Sequence, residues 1–240
     1  MGAAGEAIGK RCGHVEFYVE RAVLDLGVKV VFVVIEGMDN ARDSLEWNAE
    51  HPMRLAALVE RWRGQDLHAD PVLEGFYELH DRAHVRRKHN VPAPVTLIKL
   101  LVKRGGASSI NKVVDIYNTV SMETRLALGA HDLARVEGDV TLRLTDGSER
   151  YVPLGEEEPV PVAAGEYSYC DDANEVLCRL EVRQVNKTAT TTSTSDAFFI
   201  VQGNAATSDE YVNAAAYTLA TEVTCYCGGV SHVVVPKVLE

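Results

Sequence analysis

Three polar side chains, Asn111, Asp115 and Asn118, recur at i, i+4 and i+7. On a helix this spacing stacks them on one face. Such a stripe is either a solvent face or the polar lining of a cleft. The residues between them, Val113, Val114, Ile116, Tyr117 and Val120, are apolar round much of the circumference. The helix is therefore expected to be buried. Just beyond, Leu128–Leu133 reads as a Gly-containing turn with His131 beside Asp132. A neutral imidazole near pH 7 can accept a proton from water, although a lone histidine is more often structural.

The cysteines point elsewhere. Cys225-x-Cys227 lacks the spacer and the second pair of a structural zinc site, so buried thiols are expected and no metal or cofactor is implied. Cys12, Cys170 and Cys178 bring the count to five, odd and without a disulfide framework, which fits a reducing cytoplasm. No nucleophile elbow, P-loop, dinucleotide fingerprint or zincin motif is present. The first residues lack a basic and then apolar leader, and the most apolar stretch, Ala22–Ile35, is broken by Asp25 and Lys29.

The elements that must position these groups follow from periodicity and punctuation. Strands are expected at 15–19 and 28–35. A helix over 45–62 follows, with Pro52 as a break or first-turn position, then a helix from Asp70-Pro71 to Arg82 and a third ending before Gly105-Gly106. The polar-striped helix is expected to start from Ser108 or Ser109 and to run to about Thr124. Strands at 139–144, 166–170, 175–183 and 197–202 come next. A Thr207–Glu210 capping box opens an Ala-rich helix, and a strand over 230–235 closes the chain. Helices early and strands late give an α+β chain. Residues 1–106 form a strand pair and helices integral to the same unit as a β-rich part over 107–240, with a mixed or antiparallel sheet.

Ser109–Asn118, followed by Leu128–Leu133, resembles the editing domain of the phenylalanyl-tRNA synthetase beta subunit, its modules B-three and B-four. That family reads approximately R-P-I-N-N-V-V-D-V-T-N-Y and then L-H-A-F-D-L. Gly138–Arg143 and Gly165–Asp171 fit its following strands, and the likeness covers about 108–202. It implies a tRNA-binding domain that hydrolyses the ester of a wrongly attached amino acid, acting as a second sieve. Asn118 matches the family's asparagine, and Tyr117 stands on its threonine. The editing histidine falls on Gly129, with His131 two residues on; the later glutamate falls on Ile200, with Gln202 two residues on. A two-residue shift in an extended segment keeps the face, so His131 and Gln202 are expected in the same pocket. In place of the family's A-G-V-M-G-G segment stand residues 176–183, whose alternation sets Arg179, Glu181 and Arg183 on one strand face.

His131, Asn118 and Arg179 are thus expected to be catalytic, with a pocket made by Asn111, Asp115, Tyr117, Glu123, Glu181, Arg183 and Gln202. Charge agrees with an RNA partner. The net charge is −11, yet eight bases and no acid lie between Arg82 and Lys112, a third of all Lys and Arg. Arg82, Arg86, Arg87, Lys88, Lys103 and Arg104 are expected to meet phosphates, as a basic edge on an acidic body does. The leading expectation is a cytoplasmic trans-editing hydrolase acting on mischarged aminoacyl-tRNA, with a synthetase as a candidate partner and no role for DNA or membrane. A non-catalytic RNA-binding or regulatory module on the same fold is the alternative, and a small-molecule hydrolase a third.

Overall fold

Runs of Val, Ile and Phe in the first part of the chain form β1 (Phe17–Glu20) and β2 (Lys29–Glu36), joined by the short α1 (Arg21–Asp25). The computed structural model describes residues 15–240; Cys12 and the start of the chain lie outside the described residues. Helices α2 (Leu45–Trp62), α3 (Pro71–Arg82), α4 (Ala93–Arg104) and α5 (Lys112–Thr124) follow. Then come β3 (Ala127–Asp132), β4 (Val140–Leu144), β5 (Tyr167–Asp171), β6 (Val176–Arg179), β7 (Arg183–Gln184), β8 (Ala197–Gly203), α6 (Asp209–Cys227), β9 (Val230–Val234) and β10 (Lys237–Leu239). The fold is α+β, as the order of elements implied.

Two sheets form, one six-stranded in the order β10-β1-β4-β5-β6-β7 and one four-stranded in the order β3-β8-β2-β9. β1 runs parallel to both neighbours and the remaining pairs are antiparallel. Both early strands are interior, so neither sheet closes without residues from each end of the chain. The sheets meet through aromatic side chains: Phe17 stacks on Phe32 at 4.4 Å, and Phe32 meets Tyr169 edge-on at 6.0 Å. A second apolar cluster joins α2, α3 and α4 through Leu58, Trp62, Leu73, Tyr77, Val95 and Ile98.

Local chemistry explains most boundaries. Asp70 accepts from the Val72 and Leu73 N–H groups with Pro71 behind it, and Gly105 ends α4 in the left-handed region at φ 69°. Several expectations are corrected. α2 runs through Pro52, because buried Trp47 on one side and Leu55, Leu58 and Trp62 on the other pin it. Asn111, not Ser108 or Ser109, caps α5, accepting from Val114 N–H. Ser208, not Thr207, caps α6. Leu128–Leu133 is not a turn: most of it is strand β3, buried along its whole length. The expected strand over 175–183 breaks at Leu180, whose φ of 53° lies where bulky residues are rare.

Candidate functional site

The register of β3 on β8 builds the floor of the site. Gly129 lies opposite Ile200 and Ala127 opposite Gln202, so the two positions where the resemblance sets histidine and glutamate are cross-strand neighbours. Residues two apart on a strand share a face, and this face looks toward the six-stranded sheet. There a cavity of about 260 Å³ opens between the sheets, beside α4 and α5. Tyr117 and Asn118 line it from α5, Thr96 and Leu97 from α4, Tyr169 and Cys178 from the other sheet, and Leu180–Gln184 from the break between β6 and β7.

The turn at Leu180 brings the chemistry in. Leu180 N–H donates to Tyr167 O at 3.1 Å, and the next residue, Glu181, is turned into the protein with 5% exposure. Its Oε1 lies 2.6 Å from Nε2 of the wholly buried His80 on α3. Its Oε2 accepts the Tyr167 hydroxyl and lies 3.4 Å from Gln202 Nε2. The Tyr169 hydroxyl donates to Gln202 Oε1 at 2.6 Å, completing a chain from α3 to β8. Burial, then the neighbouring Glu181, pushes the Tyr167 hydroxyl well above its ordinary range, and burial does the same for Tyr169. Both stay protonated donors. Burial also raises the Cys178 thiol to about 12, so it is protonated at neutral pH.

Of the ten residues expected in the catalytic centre and pocket, the cavity gathers five: Asn118, Tyr117, Glu181, Arg183 and Gln202. Arg183 stands at the rim, half exposed, its guanidinium donating to Leu154 O at 2.6 Å. The other five are held elsewhere. His131 shares the face of Gly129, but it lies one strand repeat beyond the cavity. Its ring stacks on Phe198 at 4.9 Å, Nδ1 lies 2.7 Å from Thr188 Oγ1, and burial drives its pKa to about 3. A group of that acidity is uncharged and weakly basic at neutral pH. Arg179 is gripped by both oxygens of Glu166, at 2.5 and 2.6 Å, and by Asn90 at 2.8 Å. Asn111 is consumed by the α5 cap and by Asn40. Asp115 accepts the Ser109 hydroxyl and, at 3.0 Å, Ile110 N–H. Glu123 pairs with Arg54, remote from the site. The polar stripe is thus divided, and only Asn118 meets the cavity.

Sequence reasoning missed His80, Tyr167, Tyr169 and Gln184. Gln184 is notable because a Cβ at Gly129 would overlap its side-chain amide. The space of the expected histidine is taken by an amide from the opposite sheet. No local pattern announces that contact; only the glycine at the histidine position hints at a close approach.

The basic segment is also divided. Arg86, Lys88, Lys99, Lys103 and Arg104 are exposed and form no ion pair among the described residues. Arg87 is tied to Glu74 and Asp81, and Arg82 donates to Leu26 O at 2.7 Å. Lys112 is withdrawn, its Nζ buried.

A two-sheet α+β fold around an inter-sheet cavity is the class these features define. A family profile described as B3/4 domain matches residues 82–225, more than half of the chain, and the chain belongs to that family. Among solved structures it is similar to an N-terminal fragment of the phenylalanyl-tRNA synthetase beta-subunit from Pyrococcus horikoshii, at 13% identity and a TM-score of 0.48. The match covers 95% of this chain and 52% of that one, so the chain spans about half the length of the fragment. No curated protein matches. No helix among the described residues is long and apolar enough to cross a membrane.

Proposed function

We propose that this chain binds the aminoacylated 3′ end of a tRNA and hydrolyses the ester. The observation that carries the reading is the make-up of the cavity: apolar walls, one buried carboxylate, converging amides and a cationic rim. A charged tRNA terminus presents the complementary set. The amino-acid side chain fits the walls made by Leu97, Leu128 and Ile200, and its α-ammonium group pairs with Glu181. The ester carbonyl faces the amides of Asn118 and Gln184, and the terminal phosphates meet Arg183 and the exposed lysines of α4. Water attacks the ester carbon, the bond to the ribose oxygen breaks, and the departing oxygen takes the proton. With His131 one strand repeat beyond the cavity, the substrate's own vicinal hydroxyl relays that proton. The amides stabilise the tetrahedral oxyanion. On this reading the substrate is met in the cytoplasm after release by an aminoacyl-tRNA synthetase.

Deacylation of a panel of mischarged tRNAs tests the proposal. At least one ester is expected to be hydrolysed above its spontaneous rate. Glu181→Gln, which keeps shape and removes charge, is expected to lower kcat/KM about 10–100-fold, the worth of a charge-assisted hydrogen bond. Affinity for uncharged tRNA should not change. Failure on every ester, with binding retained, refutes hydrolysis and supports the second reading, a non-catalytic RNA-binding module. That reading is favoured by one observation: Gly129 and Ile200 stand where the resemblance sets the editing histidine and glutamate.

A further inference from the structure

His80 is wholly buried on α3, a helix that does not itself line the inter-sheet cavity. It nonetheless ends on the carboxylate of that cavity, with Nε2 2.6 Å from Glu181 Oε1. Its other ring nitrogen, Nδ1, is buried and has no hydrogen-bond partner among the described residues. The ring proton is therefore placed on Nε2 and donated to Glu181. A side chain that served only to fill space would not need to bury an unpaired nitrogen. Glu181 is held at both its backbone and its carboxylate. Its carbonyl accepts Ala93 N–H at 3.1 Å, which ties it to the start of α4. Its Oε2 accepts the Tyr167 hydroxyl and lies 3.4 Å from Gln202 Nε2. A carboxylate has about four acceptor positions, so these donors leave room for about one more. Among the described residues no lysine or arginine bonds Glu181; Arg179, two residues earlier, is held by Glu166 and Asn90.

We propose that His80 is a positioning residue: it holds Glu181 so that the remaining acceptor position takes a primary ammonium group. The cavity then selects aminoacyl esters whose α-amino group is free and refuses those in which it is acylated. An N-acyl amide carries no charge and offers only one N–H, so it forfeits the charge-assisted bond. The ammonium pairs with Glu181 before the ester is attacked and stays paired through the reaction. Its loss therefore raises KM and leaves kcat nearly unchanged. That the ligand is an aminoacyl ester rests on the proposed function; selection of a free ammonium by the His80–Glu181 pair does not.

Non-hydrolysable probes test this on the full protein: leucine or phenylalanine joined through an amide to 3′-amino-3′-deoxyadenosine, and the N-acetyl derivative of each. In calorimetric titrations the free amine is expected to bind about 10–100-fold more tightly than its N-acetyl form. His80→Gln and His80→Asn differ in reach and little in chemistry, since the glutamine amide extends to the Nε2 position and the asparagine amide stops at Nδ1. Once melting curves show both variants folded, the glutamine variant should keep most of the preference and the asparagine variant should lose about tenfold of it. A histidine that only packs would lower stability in both without changing the ratio of the two affinities. In the parent protein labelled with ¹⁵N-histidine, the amine probe should shift the His80 Nε2 signal and the N-acetyl probe should not, a readout that needs no variant. Equal affinity for the two forms, binding of neither, or an unchanged ratio in folded His80→Asn overturns the proposal. Deacylation of aminoacyl-tRNA and its N-acetylated form separates this inference from the reading it deepens. Hydrolysis of both at equal kcat/KM removes the role of His80 and keeps the hydrolase. A preference for the amine probe without hydrolysis of any ester keeps the role of His80 and removes the hydrolase.

Discussion

His131 gives the sharpest test of how the site is built, because burial alone lowers its pKa to about 3. In the unfolded chain the ring titrates near 6.5. Above that pH neither state binds the proton and the native state keeps its full stability. As pH falls below 6.5 the unfolded state binds a proton that the native state refuses, so stability declines down to about pH 3. Each pH unit in that window is worth at most ~1.4 kcal/mol. At pH 5 the loss due to this one residue is therefore about 2 kcal/mol. His131→Gln keeps a polar partner for Thr188 and removes the titration. Urea unfolding of both proteins at pH 7.5, 6.5, 5.5 and 4.5 should give a stability difference that moves in favour of the variant by about 1 kcal/mol per pH unit below 6.5. The other histidines cancel in the comparison. The ¹³Cε1 resonance of His131 should show no inflection near pH 6.5, and deacylation by the folded variant should match the parent. A difference that stays flat with pH, or a fall in deacylation of about 10² or more in a folded variant, refutes the assignment of His131 as a neutral packing residue.

Other perturbations bear on the remaining parts of the site. Gln184→Ala should lower kcat about 10²-fold if its amide faces the oxyanion. Gly129→Ala, which forces that amide away, should do the same; unchanged single-turnover rates in either exclude Gln184 from that role. Arg179→Met leaves Glu166 without its guanidinium and should cost roughly 2–3 kcal/mol, less than a fully buried pair because the arginine is partly exposed; a shift of under ~0.5 kcal/mol in urea unfolding would show the pair to be incidental. Reversing Arg86, Lys88 and Arg104 to Glu should weaken tRNA binding and flatten its log–log salt slope by about 2. Arg87→Ala should instead lower Tm, since it frees Asp81 and Glu74, and a large loss of RNA affinity from this variant alone would contradict that division.

The fold was largely legible because its elements are locally punctuated. Asp70-Pro71, Gly105 and the Val-rich β2 each carry their own signal, and the structure honours them. What was not legible depends on distant packing. Pro52 reads as a break until Trp47 and Leu55 are seen anchoring both halves of α2. The segment around His131 reads as a turn because Gly129 and Asp132 are poor strand formers, yet pairing with β8 along six residues overrides that propensity. The alternation over residues 176–183 predicted one face for Arg179, Glu181 and Arg183. The left-handed Leu180 splits them into a structural pair, a buried carboxylate and a rim cation, and nothing in the identity of a leucine signals φ of 53°.

The same strand geometry explains why one displaced residue reaches the cavity and the other does not. A shift of two residues preserves the face but moves a side chain by roughly 7 Å along the strand. For Gln202 the shift runs toward Ala127, where the cavity continues, and the amide lands between Tyr169 and Glu181. For His131 it runs the other way, toward Phe198, where the sheets are closed by aromatic packing. The two antiparallel strands carry equal shifts in opposite directions. Glu181 and Gln184 bring polar groups to the cavity from the side facing β3, and Gly129 is the residue that leaves room for Gln184. A histidine restored at 129 would have to displace Gln184. Gly129→His should therefore fail to add a base to the cavity unless Gln184→Ala accompanies it, and the double variant, not the single one, should show a new histidine titration near pH 6.5 in its deacylation profile.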